Sequence, residues 1–125
     1  MHSGHCLCGQ LRFEADGEPQ WVSYCHCASC RRHTASPVTC FVNFKSDRVR
    51  FSGDRTLYES SAGVTRSHCA ICATPVSYET VSRDDEIDLY LNAFDNPQDF
   101  KPQIHAFFEE HIPWFDTQDN LPREP

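Results

Sequence analysis

Nothing in this chain approaches the ~18 consecutive apolar residues of a membrane-crossing helix. Basic charge is scarce too: 11 Lys and Arg stand against 18 Asp and Glu, a formal net charge of −7. That balance argues against an electrostatic nucleic-acid binder, which shows a basic face, and against a polybasic membrane-surface protein. The one clear basic cluster is Arg31-Arg32-His33. No segment sustains a helical hydrophobic period, so only Ala28 to His33 is read as a helical turn. Internal repeats, low-complexity tracts and linkers are missing as well. The opening, Met1-His2-Ser3-Gly4-His5, lacks the basic region and apolar run of a secretory signal. The expected location is the cytoplasm, where thiols stay reduced. No nucleic-acid or membrane partner is expected, and the oligomeric state stays open.

What the sequence does have is cysteine. Seven of its eight cysteines fall in three tight clusters: Cys6-Leu7-Cys8, Cys25-His26-Cys27-Ala28-Ser29-Cys30 and Cys69-Ala70-Ile71-Cys72. Their CxC and CxxC spacings are those of metal-binding turns rather than of a secreted disulfide framework. Thiolates hold Zn²⁺ well, and structural zinc takes four ligands in a tetrahedron. Residues i and i+2 of a strand share a face, so Cys6 and Cys8 are expected to aim two sulfurs the same way. With Cys69 and Cys72 they make four, enough to close one site and staple distant parts of the chain. Cys25, Cys27 and Cys30 hold an ion but leave its fourth corner for a distant side chain, a water or a substrate; a third possibility is that they bind no metal and simply pack.

The chain has 125 residues, of which 39% are hydrophobic. One domain over residues 1–125 is expected, with a core small enough for zinc to be a considerable help. The reading is all-β. Short strands are predicted at 11–15, 20–24, 37–44, 49–52, 57–60, 64–68, 75–80, 86–91 and 104–108, with turns at Gly53-Asp54, Ser61-Ala62-Gly63 and Asp95-Asn96-Pro97. From Pro113 onward the tail is read as irregular. Trp21, Trp114 and most phenylalanines are expected to fill the core, and Cys40 to be buried.

Around the open trio, Arg31 and Arg32 offset the charge of a zinc–trithiolate or hold the carboxylates of an anionic substrate; each is also a candidate solvated surface charge. His26 lies between two ligands and points away from the metal if the segment is extended. His33, His68, His105 and His111 are candidate fourth ligands. His26 and His33 are the nearest candidate acids or bases.

Four segments give the chain a resemblance to the glutathione-dependent formaldehyde-activating enzyme family, which includes centromere-protein-V-like proteins. They are Gly4-His5-Cys6-Leu7-Cys8-Gly9-Gln10-Leu11-Arg12-Phe13-Glu14; Cys25-His26-Cys27-Ala28-Ser29-Cys30-Arg31-Arg32; Cys69-Ala70-Ile71-Cys72-Ala73-Thr74-Pro75; and His105 with Pro113-Trp114-Phe115 and Leu121-Pro122. The resemblance implies an all-β, Mss4-like (β-tent) fold of short antiparallel strands stapled by zinc, with two Zn²⁺ per chain. Cys6, Cys8, Cys69 and Cys72 would hold the structural ion, and Cys25, Cys27 and Cys30 the one associated with glutathione. The implied activity is that of a carbon–sulfur lyase of the S-(hydroxymethyl)glutathione synthase type, adding a small thiol such as glutathione to formaldehyde. The alternative is a non-catalytic zinc module that binds a protein partner or a thiol metabolite. The chain departs from the family in having Ala73 where Gly is usual and His68 where an aromatic is usual. If the turn after Cys72 needs positive φ, Ala73 costs about 1 kcal/mol relative to Gly.

Overall fold

A computed structural model describes residues 1–125. In chain order the elements are β1 (His2–His5), β2 (Arg12–Ala15), β3 (Trp21–Cys25), α1 (Ala28–Thr34), β4 (Thr39–Lys45), β5 (Val49–Ser52), β6 (Arg55–Ser61), β7 (Val64–Cys69), β8 (Pro75–Thr80), β9 (Glu86–Tyr90) and β10 (Ile104–Ala106). The expected all-β class holds, with the predicted helical turn realised as one seven-residue helix. No helix is long and apolar enough to cross a membrane.

The strands form two sheets. The small one has the order β1-β2-β5, and the large one β10-β3-β4-β9-β8-β7-β6. Neighbouring strands pair antiparallel throughout, except that β10 lies parallel to β3.

Alternation explains how the sheets meet. In Arg12-Phe13-Glu14-Ala15 the apolar residues are buried and the charged ones exposed. Phe13 and Ala15 join Leu11, Val22, Val42, Phe44, Val76, Ile87 and Leu89 in one core. Phe94 and Phe100 close it, with ring centroids 4.5 Å apart. Each fully buried Phe or Leu contributes roughly 1.5–3 kcal/mol. Gly4 is required where β1 crosses this core, because a Cβ there would lie 2.2 Å from the Phe13 ring and 2.4 Å from the Ala93 carbonyl oxygen.

Strand β4 is buried on both faces, as its run Thr-Cys-Phe-Val-Asn-Phe suggests. Residues opposite each other on paired strands share a face. Register therefore places Trp21, Asn43, Asp88, Tyr78 and Arg66 in one row across five strands. Ser23, Phe41 and Tyr90 form a second row on the same side. This face is turned away from the core, and the loop carrying the middle cysteines covers it.

Three expectations are corrected. Cys6 and Cys8 are not on a strand; they sit in the turn after β1. Trp114 is 73% exposed rather than part of the core. Cys40 is only partly buried. The tail beyond Pro113 is irregular as expected, apart from one bridge between His105 and Arg123.

Candidate metal centres and the cavity beside them

Two turns of similar construction deliver the first four sulfurs. After Cys6-Leu7-Cys8, the N–H of Gly9 closes on the Cys6 carbonyl at 3.1 Å; after Cys69, the N–H of Ala73 closes on the Cys69 carbonyl at 3.0 Å. Both closing residues have positive φ, 81° at Gly9 and 65° at Ala73, so the strain expected at Ala73 is present. The Leu7 N–H donates to the Thr74 hydroxyl at 3.0 Å and locks one turn to the other. One turn belongs to the small sheet and the other to the large one, so the cluster joins the two.

The sulfurs of Cys6, Cys8, Cys69 and Cys72 all lie within 4.8 Å of one another. Cys6 and Cys8 are 3.5 Å apart, and Cys8 and Cys69 3.8 Å. A tetrahedral Zn–S₄ centre with ~2.3 Å bonds has sulfur–sulfur edges of about 3.8 Å. Backbone N–H groups point at the sulfurs, as thiolates require: Leu11 to Cys6 at 3.3 Å, and Ile71 and Cys72 to Cys69 at 3.3 and 3.4 Å. The Thr74 hydroxyl, backed by backbone hydrogen bonds, draws the Cys72 thiol down to about 5. This donor set fits a structural zinc ion with no ligand missing.

The second group is local. Cys25 ends β3, Cys27 caps α1 by accepting from the Cys30 N–H at 3.3 Å, and Cys30 lies buried in the first turn of the helix. Ala35, in the left-handed region, ends the helix, and its N–H returns to the carbonyls of Arg31 and Arg32. The three sulfurs lie within 4.8 Å of one another, with Cys25 and Cys27 3.5 Å apart. Their contact pulls the Cys27 thiol down and pushes Cys25 up, so negative charge concentrates on one sulfur of the set. Three thiolates of this spacing fit a zinc ion with one position left over.

The three cysteines line a cavity of about 330 Å³ together with Trp21, Phe41, Arg66, Tyr78, Arg83 and Asp88. Phe107 stands at its edge, half exposed and in the left-handed region at φ 54°. Asp88 is a fixed part of the wall. It accepts from Asn43 at 2.6 Å and from Arg83 at 2.9 Å, while Arg83 also reaches Glu86 at 3.1 Å.

Arg66 differs from Arg83. It is 96% buried, and its donors go to the Ser60 hydroxyl at 3.1 Å, the Cys30 sulfur at 3.4 Å and the Tyr90 hydroxyl at 3.2 Å. Its guanidinium lies 4.9 Å above the Tyr78 ring. Burial alone would weaken the Arg66 charge, but the Cys30 sulfur and Tyr90 more than offset this, and its pKa rises. Tyr90, kept neutral by burial, is also joined to His33 Nδ1 at 2.9 Å.

The other predicted residues fall outside the cavity. Arg31 donates to the carbonyls of His26 at 3.0 Å and Glu110 at 2.9 Å, clamping the cysteine loop to the tail. Arg32 is exposed on α1. None of His33, His68, His105 and His111 joins the sulfur trio. His26 is not a member of the sulfur group, as expected, and is fully buried. Its Nε2 meets His105 Nδ1 at 2.8 Å, and His105 Nε2 meets Asp119 at 3.1 Å. A carboxylate only accepts, so with neutral rings His105 carries its proton on Nε2 and accepts from His26. His26 Nδ1 is left buried without a partner. Burial, then His105 and His111, push His26 down to about 4, which keeps it neutral.

Arg66, Tyr78, Tyr90 and Arg83 were not found by sequence reasoning. Arg66, Tyr78 and Tyr90 sit on strands, where a polar residue reads as solvent-facing, and only the pairing register brings them together. Arg83 sits in the turn between β8 and β9.

Comparison with known proteins agrees with this picture. A family model described as "Glutathione-dependent formaldehyde-activating enzyme" matches residues 1–110. An uncharacterized lyase of Schizosaccharomyces pombe is 30% identical over 77 residues, which is 62% of this chain and 56% of that protein, so the match spans about half the relative's length. A crystal structure of a Rhodobacter sphaeroides protein superposes with a TM-score of 0.64 at 21% identity, covering 78% of this chain and 93% of that one. The last likeness is one of fold.

Proposed function

The chain belongs to the glutathione-dependent formaldehyde-activating enzyme family, and on that premise we propose that it is a carbon–sulfur lyase of the S-(hydroxymethyl)glutathione synthase type. It would join the thiol of glutathione to formaldehyde or a related small aldehyde. The supporting observation is that the Cys25/Cys27/Cys30 trio opens on a cavity, whereas the other four sulfurs suffice to close a tetrahedron by themselves.

In this reading residues 1–125 form one cytoplasmic zinc-binding domain with two Zn²⁺. Cys6, Cys8, Cys69 and Cys72 hold the structural ion. An ion held by Cys25, Cys27 and Cys30 supplies a Lewis-acid position that favours a thiolate or polarises an aldehyde oxygen. The chain's own residues do the rest. Tyr78, Phe41 and Trp21 narrow the cavity and limit water. Arg31 holds the cysteine loop in place through two carbonyls. Arg32, exposed two residues after Cys30, has donors free for a substrate carboxylate. The reaction balances without a redox partner: a C–S bond forms, the C=O π bond opens, and the thiol proton ends on the new hydroxyl.

One observation favours a second reading. No histidine lines the cavity, and thiols add to formaldehyde unaided, so the domain is also suited to holding a thiol metabolite without catalysis. Kinetics decide between them. Exchange NMR of glutathione and formaldehyde should show adduct formation accelerated by the chain over buffer, and not accelerated by Cys27→Ser. Glutathione binding with no acceleration would select the non-catalytic module.

A further inference from the structure

We infer that Arg66 is the specificity-determining residue of the cavity: it is the buried counter-charge of the sulfur trio and selects an anionic sulfur, a thiolate, as the occupant over a neutral thioether. The inference rests on the thiol-addition reading and names the group that makes that site receptive.

A buried guanidinium is normally held by a carboxylate, because an uncompensated buried charge is costly. Arg83, on the same cavity wall, follows that rule with Asp88 and Glu86. Arg66 does not. Its three partners are the hydroxyls of Ser60 and Tyr90 and the sulfur of Cys30. The countercharge for Arg66 is therefore the cysteine trio itself.

Three thiolates around a divalent ion carry one net negative charge, and a fourth thiolate would raise this to two. With Arg66 against Cys30, the sum after thiolate binding returns to one. In a low-dielectric site that single charge weighs heavily, because Coulomb energies scale inversely with the local dielectric. A thioether brings no charge and gains nothing from Arg66. Geometry keeps the guanidinium in place: Tyr90 is fixed from the far side by His33, and the Tyr78 ring supports the guanidinium face. On binding, the thiol gives up its proton to solvent.

The test compares glutathione with S-methylglutathione on the full chain, with zinc content measured for every sample. Calorimetry in buffers of different ionisation enthalpy reads both affinity and proton release. Wild type should bind glutathione with release of close to one proton at pH 7. Arg66→Met keeps the length of the stem and removes the charge. It should lose about 10- to 100-fold in glutathione affinity and leave S-methylglutathione unchanged. Arg66→Lys should restore most of the preference. Arg66→Gln repeats the comparison if the Met variant misfolds.

Equal loss for both ligands, or no loss for either, overturns the inference. A wild-type chain that ignores glutathione overturns the thiol reading itself. A wild-type chain that binds glutathione no better than Arg66→Met overturns only the role of Arg66. Chelator competition supplies a readout independent of any thiol: Arg66→Met should release one zinc about tenfold more readily and the other unchanged.

Discussion

Replacing Ala73 with glycine is expected to stabilise this chain, and the same reasoning applied to Gly9 gives the opposite sign. Ala73 is held at φ 65° because its N–H must return to the Cys69 carbonyl to close the sulfur-bearing turn. The left-handed region costs a residue with a Cβ roughly 1–2 kcal/mol. Glycine removes that cost but adds unfolded-chain entropy of about 0.4–1 kcal/mol. The net gain is about 0.5–1 kcal/mol. Gly9 occupies the equivalent place after Cys8, at φ 81°. A Cβ built there meets only Arg12 Nη2, at 3.7 Å, an ordinary contact. Gly9→Ala therefore carries backbone strain and nothing else, and should lose the same about 0.5–1 kcal/mol. For a chain of this size 1 kcal/mol moves Tm by about 4 °C. Thermal unfolding followed by circular dichroism at fixed free zinc should give shifts of about 2–4 °C in opposite directions. Ala35→Gly is the control, since Ala35 also has positive φ (53°) but ends α1 rather than closing a turn of the quartet. It should raise Tm without altering chelator competition at the quartet, whereas Ala73→Gly should alter both. A lowered Tm for Ala73→Gly, or an unchanged one for Gly9→Ala, refutes the reasoning.

Cys72→Ser and Cys27→Ser should each remove one zinc by metal analysis, with different effects on the fold. The quartet links sheets through residues far apart in the chain, and a zinc ion held there would be worth roughly 10–16 kcal/mol only when folded, so Cys72→Ser should abolish the cooperative melt while Cys27→Ser keeps it. His105→Ala deletes a fully buried ring that touches His26, Asp119 and Tyr24. It should cost about 2–4 kcal/mol and speed amide exchange in β3, β10 and the tail, with β1, β2 and β5 left protected.

Both cysteine clusters were legible in the sequence because their members come in short local spacings, and a turn or a helix start is enough to converge them. The route to the first pair was misread all the same. A strand reading puts Cys6 and Cys8 on one face by alternation, whereas the chain turns after β1 and uses the positive φ of Gly9 to do it. The strain at Ala73 was anticipated from the family resemblance, in which glycine is usual at that place, and the turn does hold it at positive φ. Arg66 was not readable: an arginine inside Val64-Thr65-Arg66-Ser67-His68 looks like the solvent side of a strand. It becomes a buried site residue only because β7 lies two strands from β9 in the sheet, and Cys30 approaches from a helix 36 residues earlier in the chain. The pairing of His26 with His105 was hidden for the same reason, since parallel pairing of β10 with β3 is what brings the two rings together.

The large sheet is used on both faces, and that limits the hydrophobic stabilisation available to this small fold. One face, with Val42, Phe44 and Leu89, makes the core. The other, with Asn43, Asp88, Tyr90 and Arg66, makes the site. A site face of buried polar groups adds little hydrophobic stabilisation, and each of its groups destabilises the fold unless it has a partner. Here the partners form two connected series: Gln20 to Asn43, Asn43 to Asp88 and Asp88 to Arg83 in one, and His33 to Tyr90 to Arg66 to Cys30 in the other. With a metal ion held by the trio, the last link in the second series would be a thiolate, and the charge on the trio would complete the satisfaction of the sheet's inner polar face. Loss of the trio's negative charge would leave Arg66 buried without its countercharge. A triple Cys25→Ser, Cys27→Ser, Cys30→Ser chain should therefore be less stable than the same chain carrying Arg66→Met as well, an inversion that urea unfolding measures directly. Additive destabilisation by the two changes would show that Arg66 and the sulfurs are independent.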